Sequence, residues 1–146
     1  MAPVAAVRLF PSTGLARPPM TGFWAVLDLT SECAMPAPFR SIAYQNIPIL
    51  DLTIPTPRQF AEAVEFIREH ARNGKKVYLH CKLGRSRSAA VAAAYLIAEG
   101  LASNGREAVE RVRAVRPEIT VSNAAVEALN RFADQPATRR TRETSS

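Results

Sequence analysis

Apolar positions along the chain switch between two periods, and their order indicates strands interleaved with helices. Trp24, Ala25, Val26, Leu27 and Leu29 make a dense run that reads as a buried strand over 24–29, closed by the polar Thr30, Ser31 and Glu32. Pro36 and Pro38 mark a loop. A second short strand is expected over 42–47, with Pro48 as its stop. Thr56, Pro57 and Gln59 then carry the signs of a helix start: a capping hydroxyl, a proline suited to the first helical position, and a glutamine that can complete a capping box. Phe60, Val64, Ile67 and Ala71 follow at helical spacing until Asn73 and Gly74 end the helix.

The segment 76–80 reads as a strand leading directly to Cys81. After it, 88–99 is an Ala-rich helix running to Gly100, apolar on nearly all sides and therefore expected at the centre of the molecule. A further helix is expected over 106–115 with Ala108, Val112 and Val115 as its buried line, closed by Pro117, and a last one over 123–132. This alternation predicts an α/β domain with a central, mainly parallel sheet flanked by helices. Chemistry in such sheets gathers at the C-terminal ends of the strands. One domain over 1–133 is expected, followed by a disordered basic tail over 134–146.

Composition narrows the class. The chain has 146 residues, 47% of them hydrophobic, which is enough for one real core. The longest uninterrupted apolar run, 89–98, is too short to cross a bilayer. Arg8 and Pro11 interrupt the apolar N-terminus, so no signal peptide is read there. Two cysteines cannot form a dense disulfide framework, and no Cys/His cluster has zinc-ligand spacing. A reducing, cytoplasmic setting is expected, with no metal and no cofactor. The net charge of +6 suits anionic partners or an Arg-rich solvated surface, and Arg139, Arg140 and Arg142 place part of the excess in the tail. No recognition motif accompanies the charge, so no nucleic-acid partner is expected.

The informative segment is His80-Cys81-Lys82-Leu83-Gly84-Arg85-Ser86-Arg87-Ser88, between a strand and a helix. Successive backbone N–H groups from Lys82 to Ser86, together with the helix N-terminus, can surround an anion there. The same dipoles favour the thiolate of Cys81, the form that attacks. Gly84 lets the backbone bend around a phosphate without a Cβ in the way. Arg87 can hold two phosphate oxygens with its planar fork, and Ser88 can donate to the sulfur as it departs.

The nonapeptide matches the H-C-x-x-G-x-x-R-S signature and resembles the dual-specificity phosphatases of the cysteine-dependent protein tyrosine phosphatase superfamily. By element order the resemblance covers about 24–132, including Leu27-Asp28-Leu29-Thr30 and the Arg116-Pro117 turn. It implies Cys81 as nucleophile, Arg87 as phosphate clamp, Ser88 as helper of the leaving thiolate and His80 as a loop-shaping residue. The family also needs a general acid. The chain has three aspartates: Asp28 in a buried strand pattern, Asp134 in the tail, and Asp51 in a loop before Cys81 whose order and separation look like the family's acid. Cys33 is either an unrelated cysteine or, as in some relatives, a disulfide partner for the nucleophile. Asn123 either caps the last helix or supports the loop. The family's usual opening strand is not evident; 7–12 stands in its place, which suggests a shortened N-terminal edge.

Lys82 and Arg85 make the loop similar to that of phosphatidylglycerophosphate phosphatases, and a similar lysine recurs in phosphoinositide phosphatases. The resemblance thus implies a phosphorylated substrate, either a lipid phosphate or a phosphoprotein, with peripheral contact to an anionic membrane surface in the lipid case. A non-catalytic phosphate-binding module and a rhodanese-like sulfur transferase are the alternatives of other classes. An intact Cys81, Arg87 and Asp51 weigh against both.

Overall fold

The computed structural model describes residues 7–11, 24–31, 43–50, 53–81 and 86–139. The chain runs β1 (Val7–Pro11), β2 (Trp24–Thr30), β3 (Ala43–Ile49), α1 (Pro57–Arg72), β4 (Lys76–Cys81), α2 (Arg87–Ala98), α3 (Gly105–Val115) and α4 (Asn123–Asp134). The sheet order is β1-β4-β2-β3, and every described pairing is parallel. The α/β class expected from the alternation of periods therefore forms.

β4 lies between β1 and β2, so its residues meet neighbours on both edges. Ala25 and Leu27 of β2 face Val77 and Leu79 of β4 across the ladder, and all four are fully buried. They join Leu29, Ile47, Ile49 and Cys81 in one apolar core with the helices. Alternate positions point to the opposite face. There Val26, Asp28, Thr30 and Tyr78 are buried as well. All residues of α2 are buried, which explains why its sequence lacks a polar side.

α1 starts as its sequence dictates. The Gln59 amide donates to Thr56 Oγ1 at 3.1 Å, the Thr56 amide donates to Gln59 Oε1 at 2.9 Å, and Pro57 opens the helix. Gln59 Nε2 also donates to the Pro48 carbonyl at 3.1 Å, tying the helix start to the end of β3. One face of α1 buries Phe60, Ala63, Val64 and Ile67, and Phe60 meets Phe132 of α4 at a ring separation of 5.6 Å. At the other end Arg68 forms an ion pair of 3.3 Å with Glu99, just past α2, with both side chains at least nine-tenths buried. Burial pushes the nearby Tyr95 phenol up to about 12, with Glu99 adding to the shift. α3 meets α4 at Gly105, whose amide donates to Asn130 Oδ1 at 2.7 Å. A Cβ there would lie 2.5 Å from the Val126 carbonyl oxygen, so only glycine allows this approach.

Four sequence expectations are corrected. Pro48 does not stop β3, which continues to Ile49. Among the described strands β3 lies at an edge, and its register with β2 shifts between the pairs Asp28↔Asn46 and Thr30↔Ile49, so the proline falls in a bulge where no ladder bond is required of it. The segment read as replacing an opening strand is itself a strand, pairing along β4 from Val7↔Val77 to Pro11↔Cys81. In α3 the buried line is Ala108, Val109 and Val112, while Val115, at the last position of the helix, is 79% exposed because the packed strip ends a turn earlier. Finally, the segment expected to be disordered from 134 starts in order: Asp134 closes α4, 136–139 add a helical turn, and Thr138 is buried.

Candidate active site

Cys81 is the last residue of β4 and Arg87 the first residue of α2. The nucleophile candidate therefore stands at the C-terminal end of a central parallel strand, where an α/β sheet presents its ligands. Cys81 is 2% exposed and Arg87 3% exposed. Lys82, Leu83, Gly84 and Arg85 lie outside the described residues, as do Asp51 and Cys33. For His80 the backbone is placed, in register between Phe10 of β1 and Asp28 of β2.

The start of α2 differs from the other helix starts. Thr56, Asn104 and Ser122 each accept a bond from the first turn of α1, α3 and α4 through the side chain. Ser86, at the N-cap of α2, makes no such bond, although its carbonyl accepts from the Ala90 amide at 2.9 Å. No side chain from the cap position competes for the N–H groups at this end of the helix, which is the arrangement an anion exploits. Ser88 follows, fully buried, and among the described residues its Oγ has no hydrogen-bond partner. A buried hydroxyl in that state costs stability unless something, such as sulfur or a ligand oxygen, accepts its hydrogen bond.

Arg87 reaches back to the end of β3, where Nη1 donates to the Ile49 carbonyl at 2.8 Å. Just past β3 the Thr53 amide donates to the Leu50 carbonyl at 3.2 Å.

Of the other aspartates, Asp28 is fully buried, and its carboxylate is saturated. Oδ1 accepts the Thr30 amide at 2.9 Å and the Thr30 hydroxyl at 2.6 Å, and Oδ2 accepts the Tyr44 hydroxyl at 2.6 Å. The hydrogen-bonding role expected for it from its strand pattern is what it performs. Asp134 is 76% exposed at the end of α4, 3.5 Å from Arg139. Asn123 sits one residue inside α4; the cap is Ser122, which accepts the Ala125 amide at 3.1 Å. Among the described residues no cluster of three or more His, Cys, Asp or Glu side chains could hold a metal ion. A polar groove of about 700 Å³ between α3 and α4, lined by Asn104, Arg106, Glu127 and Asn130, contains none of the Cys81 constellation.

Sequence reasoning missed the Ile49 carbonyl, since a backbone acceptor leaves no mark in side-chain patterns. It also passed over Tyr44 and Asn46, whose alternation along β3 was the available signal.

The family model for the dual specificity phosphatase catalytic domain matches residues 13–135. The chain belongs to this family. The phosphatase domain is 37% identical, over 91 residues, to the phosphatidylglycerophosphatase and protein-tyrosine phosphatase 1 of Rattus norvegicus; the match takes in 62% of this chain and 47% of that protein. It thus spans about half the length of the curated relatives it matches. Among solved structures it is similar to PTPMT1 in complex with PI(5)P, with a TM-score of 0.70, 26% identity and 80% of each chain covered. It is similar also to Tk-PTP in the active form, with a TM-score of 0.68, 29% identity, and coverage of 77% of this chain and 78% of that one. The resemblance drawn from the Cys81 loop and the fold expected with it both hold.

Proposed function

We propose that this phosphatase domain hydrolyses phosphate monoesters through a phosphocysteine intermediate and that its substrate is a lipid phosphate. The observation that carries the chemistry is the placement of Cys81 and Arg87 on either side of one strand-to-helix connection, both buried, at the open N-terminus of α2. The Cys81 thiolate attacks phosphorus and forms the S–P bond while the bond to the ester oxygen breaks. Arg87, the backbone N–H groups of the Lys82–Ser86 connection and the start of α2 neutralise the equatorial oxygens. Asp51 delivers its proton to the departing alkoxide, then accepts one from the water that cleaves the S–P bond and releases inorganic phosphate. Ser88 donates to the sulfur as it leaves, and His80 shapes the loop behind it.

The lipid reading rests on Lys82 and Arg85, which add positive charge to the sequence leading into Arg87, and on the names of the relatives, which specify phosphatidylglycerophosphate and, in one complex, PI(5)P. The net charge of +6 suits peripheral contact with an anionic membrane surface, and a thiolate nucleophile suits a reducing, cytoplasmic compartment. Among the described residues no helix is long and apolar enough to cross a membrane. A second reading, a dual-specificity protein phosphatase, is favoured by the family model itself.

The deciding experiment is phosphate release from phosphatidylglycerophosphate, phosphoinositides, a phosphotyrosine peptide and a phosphothreonine peptide at matched concentration. Preference for a peptide overturns the lipid reading. Chelator-resistant hydrolysis of p-nitrophenyl phosphate, abolished in Cys81→Ser, tests the chemistry, and undiminished turnover by that variant sinks it.

A further inference from the structure

The register shift between β2 and β3 breaks the regular ladder next to the site, and side chains hold the two strands together there instead. Tyr44 of β3 donates to Asp28 Oδ2 at 2.6 Å. Asn46 of β3 donates through Nδ2 to the carbonyls of both Asp28 and Thr30, each at 2.9 Å. Asp28 Oδ1 holds the Thr30 amide and hydroxyl, closing the end of β2 on itself. Three residues past Asn46, Ile49 ends β3 with the carbonyl that Arg87 Nη1 meets at 2.8 Å.

A fully buried carboxylate must be stabilised by its donors, and in return it fixes where they sit. Asp28 also lies directly beside His80, the residue before the nucleophile, in the β2–β4 register. The backbone of Asp28 is therefore paired to β4, which ends at Cys81, while its carboxylate is tied to β3, which ends at the acceptor for Arg87.

We infer that Asp28 is a positioning residue for the reaction: through Tyr44 and Thr30 its carboxylate fixes the bulged end of β3, from which the Ile49 carbonyl aims the Arg87 guanidinium. The inference rests on the proposed role of Arg87 as phosphate clamp. Asp28 touches no reacting atom. Its effect is read in how well the clamp grips a phosphate.

The experiment compares Tyr44→Phe, Asp28→Asn and Asp28→Ala with Arg87→Lys and with Val109→Ala, a core substitution in α3 away from the site. Each is assayed well below its own Tm for kcat and KM on p-nitrophenyl phosphate and for inhibition by inorganic phosphate. A misplaced arginine lowers kcat/KM and weakens phosphate inhibition together, by about 10- to 100-fold in Asp28→Ala. Tyr44→Phe, which removes the bond to Oδ2 and leaves the Thr30 bonds to Asp28 in place, loses less. Asp28→Asn retains more activity than Asp28→Ala, because its Oδ1 still serves Thr30 and its amide can donate to the Tyr44 oxygen. Val109→Ala lowers Tm without moving either constant. Should the Asp28 and Tyr44 variants lose only Tm, or lose kcat with phosphate inhibition unchanged, the inference is overturned. Should Arg87→Lys bind inorganic phosphate as tightly as the unaltered protein, the clamp reading falls, and this inference with it.

Discussion

Arg87 and Ile49 stand 38 residues apart in the chain and meet through one buried hydrogen bond of 2.8 Å from guanidinium to carbonyl. That bond uses one nitrogen of a group that carries five N–H donors in a fixed plane. Lysine cannot divide itself this way, since its ammonium is a single point charge. Arg87→Lys is expected to lower kcat/KM by at least about 100-fold, the usual loss when a preorganised oxyanion donor is removed. Steady-state kinetics on p-nitrophenyl phosphate measure it; a loss under tenfold contradicts the assignment.

For Asp51 the leaving group supplies the test. A proton donor matters most where the departing alkoxide is strongly basic. Asp51→Asn should cost about 100- to 10,000-fold on an alkyl phosphate or a lipid phosphate, the range of general acid catalysis, and much less on p-nitrophenyl phosphate. Equal losses on both substrates would move the acid to another residue.

The Arg68–Glu99 ion pair makes a prediction about stability alone. Its partners are 8% and 4% exposed, so removing one strands a charge in the core. Glu99→Ala is expected to cost about 3–5 kcal/mol in urea unfolding, whereas replacing both, Arg68→Met with Glu99→Leu, should recover most of that loss. A single variant as stable as the unaltered protein would show that water reaches the pair.

Alkaline pH tests the buried phenols. Tyr78 and Tyr95 are pushed by burial from 10.0 to about 12. Because the folded pKa is raised, the folded chain holds these protons longer than the unfolded chain does. Their contribution is fully present below pH 10, then declines as pH rises to about 12, by up to about 3 kcal/mol for each tyrosine. Chemical denaturation between pH 9 and pH 12 should show the fall, and it should be smaller in Tyr95→Phe.

The parts that could be read in the sequence are those encoded locally. Thr56, Pro57 and Gln59 announce the start of α1 because a capping box lies within one turn. Cys81 and Arg87 announce the candidate site because the family signature is one contiguous segment. Asp28 was legible as structural from its place in an apolar run. What escaped depends on strands meeting. Whether Pro48 ends β3 is decided by β3 lying at an edge with a bulge, and the acceptor for Arg87 is a backbone oxygen supplied by another strand. The exposure of Val115 follows from where α3 outruns its neighbours, which periodicity within one helix does not report.

The central position of β4 has a further consequence, for how the protein comes into being. During synthesis β1 and β2 emerge early, but in the sheet they lie on opposite sides of β4 and pair only through it. Until the ribosome has released the chain beyond Cys81, β1 has no neighbour among the described strands and the β2 edge that β4 will cover stays open. Such distant pairings slow folding and leave unpaired strand edges exposed while they wait. The strand that ends at Cys81 is thus also the keystone of assembly, and among the described strands a chain interrupted before it keeps the β2–β3 pair alone.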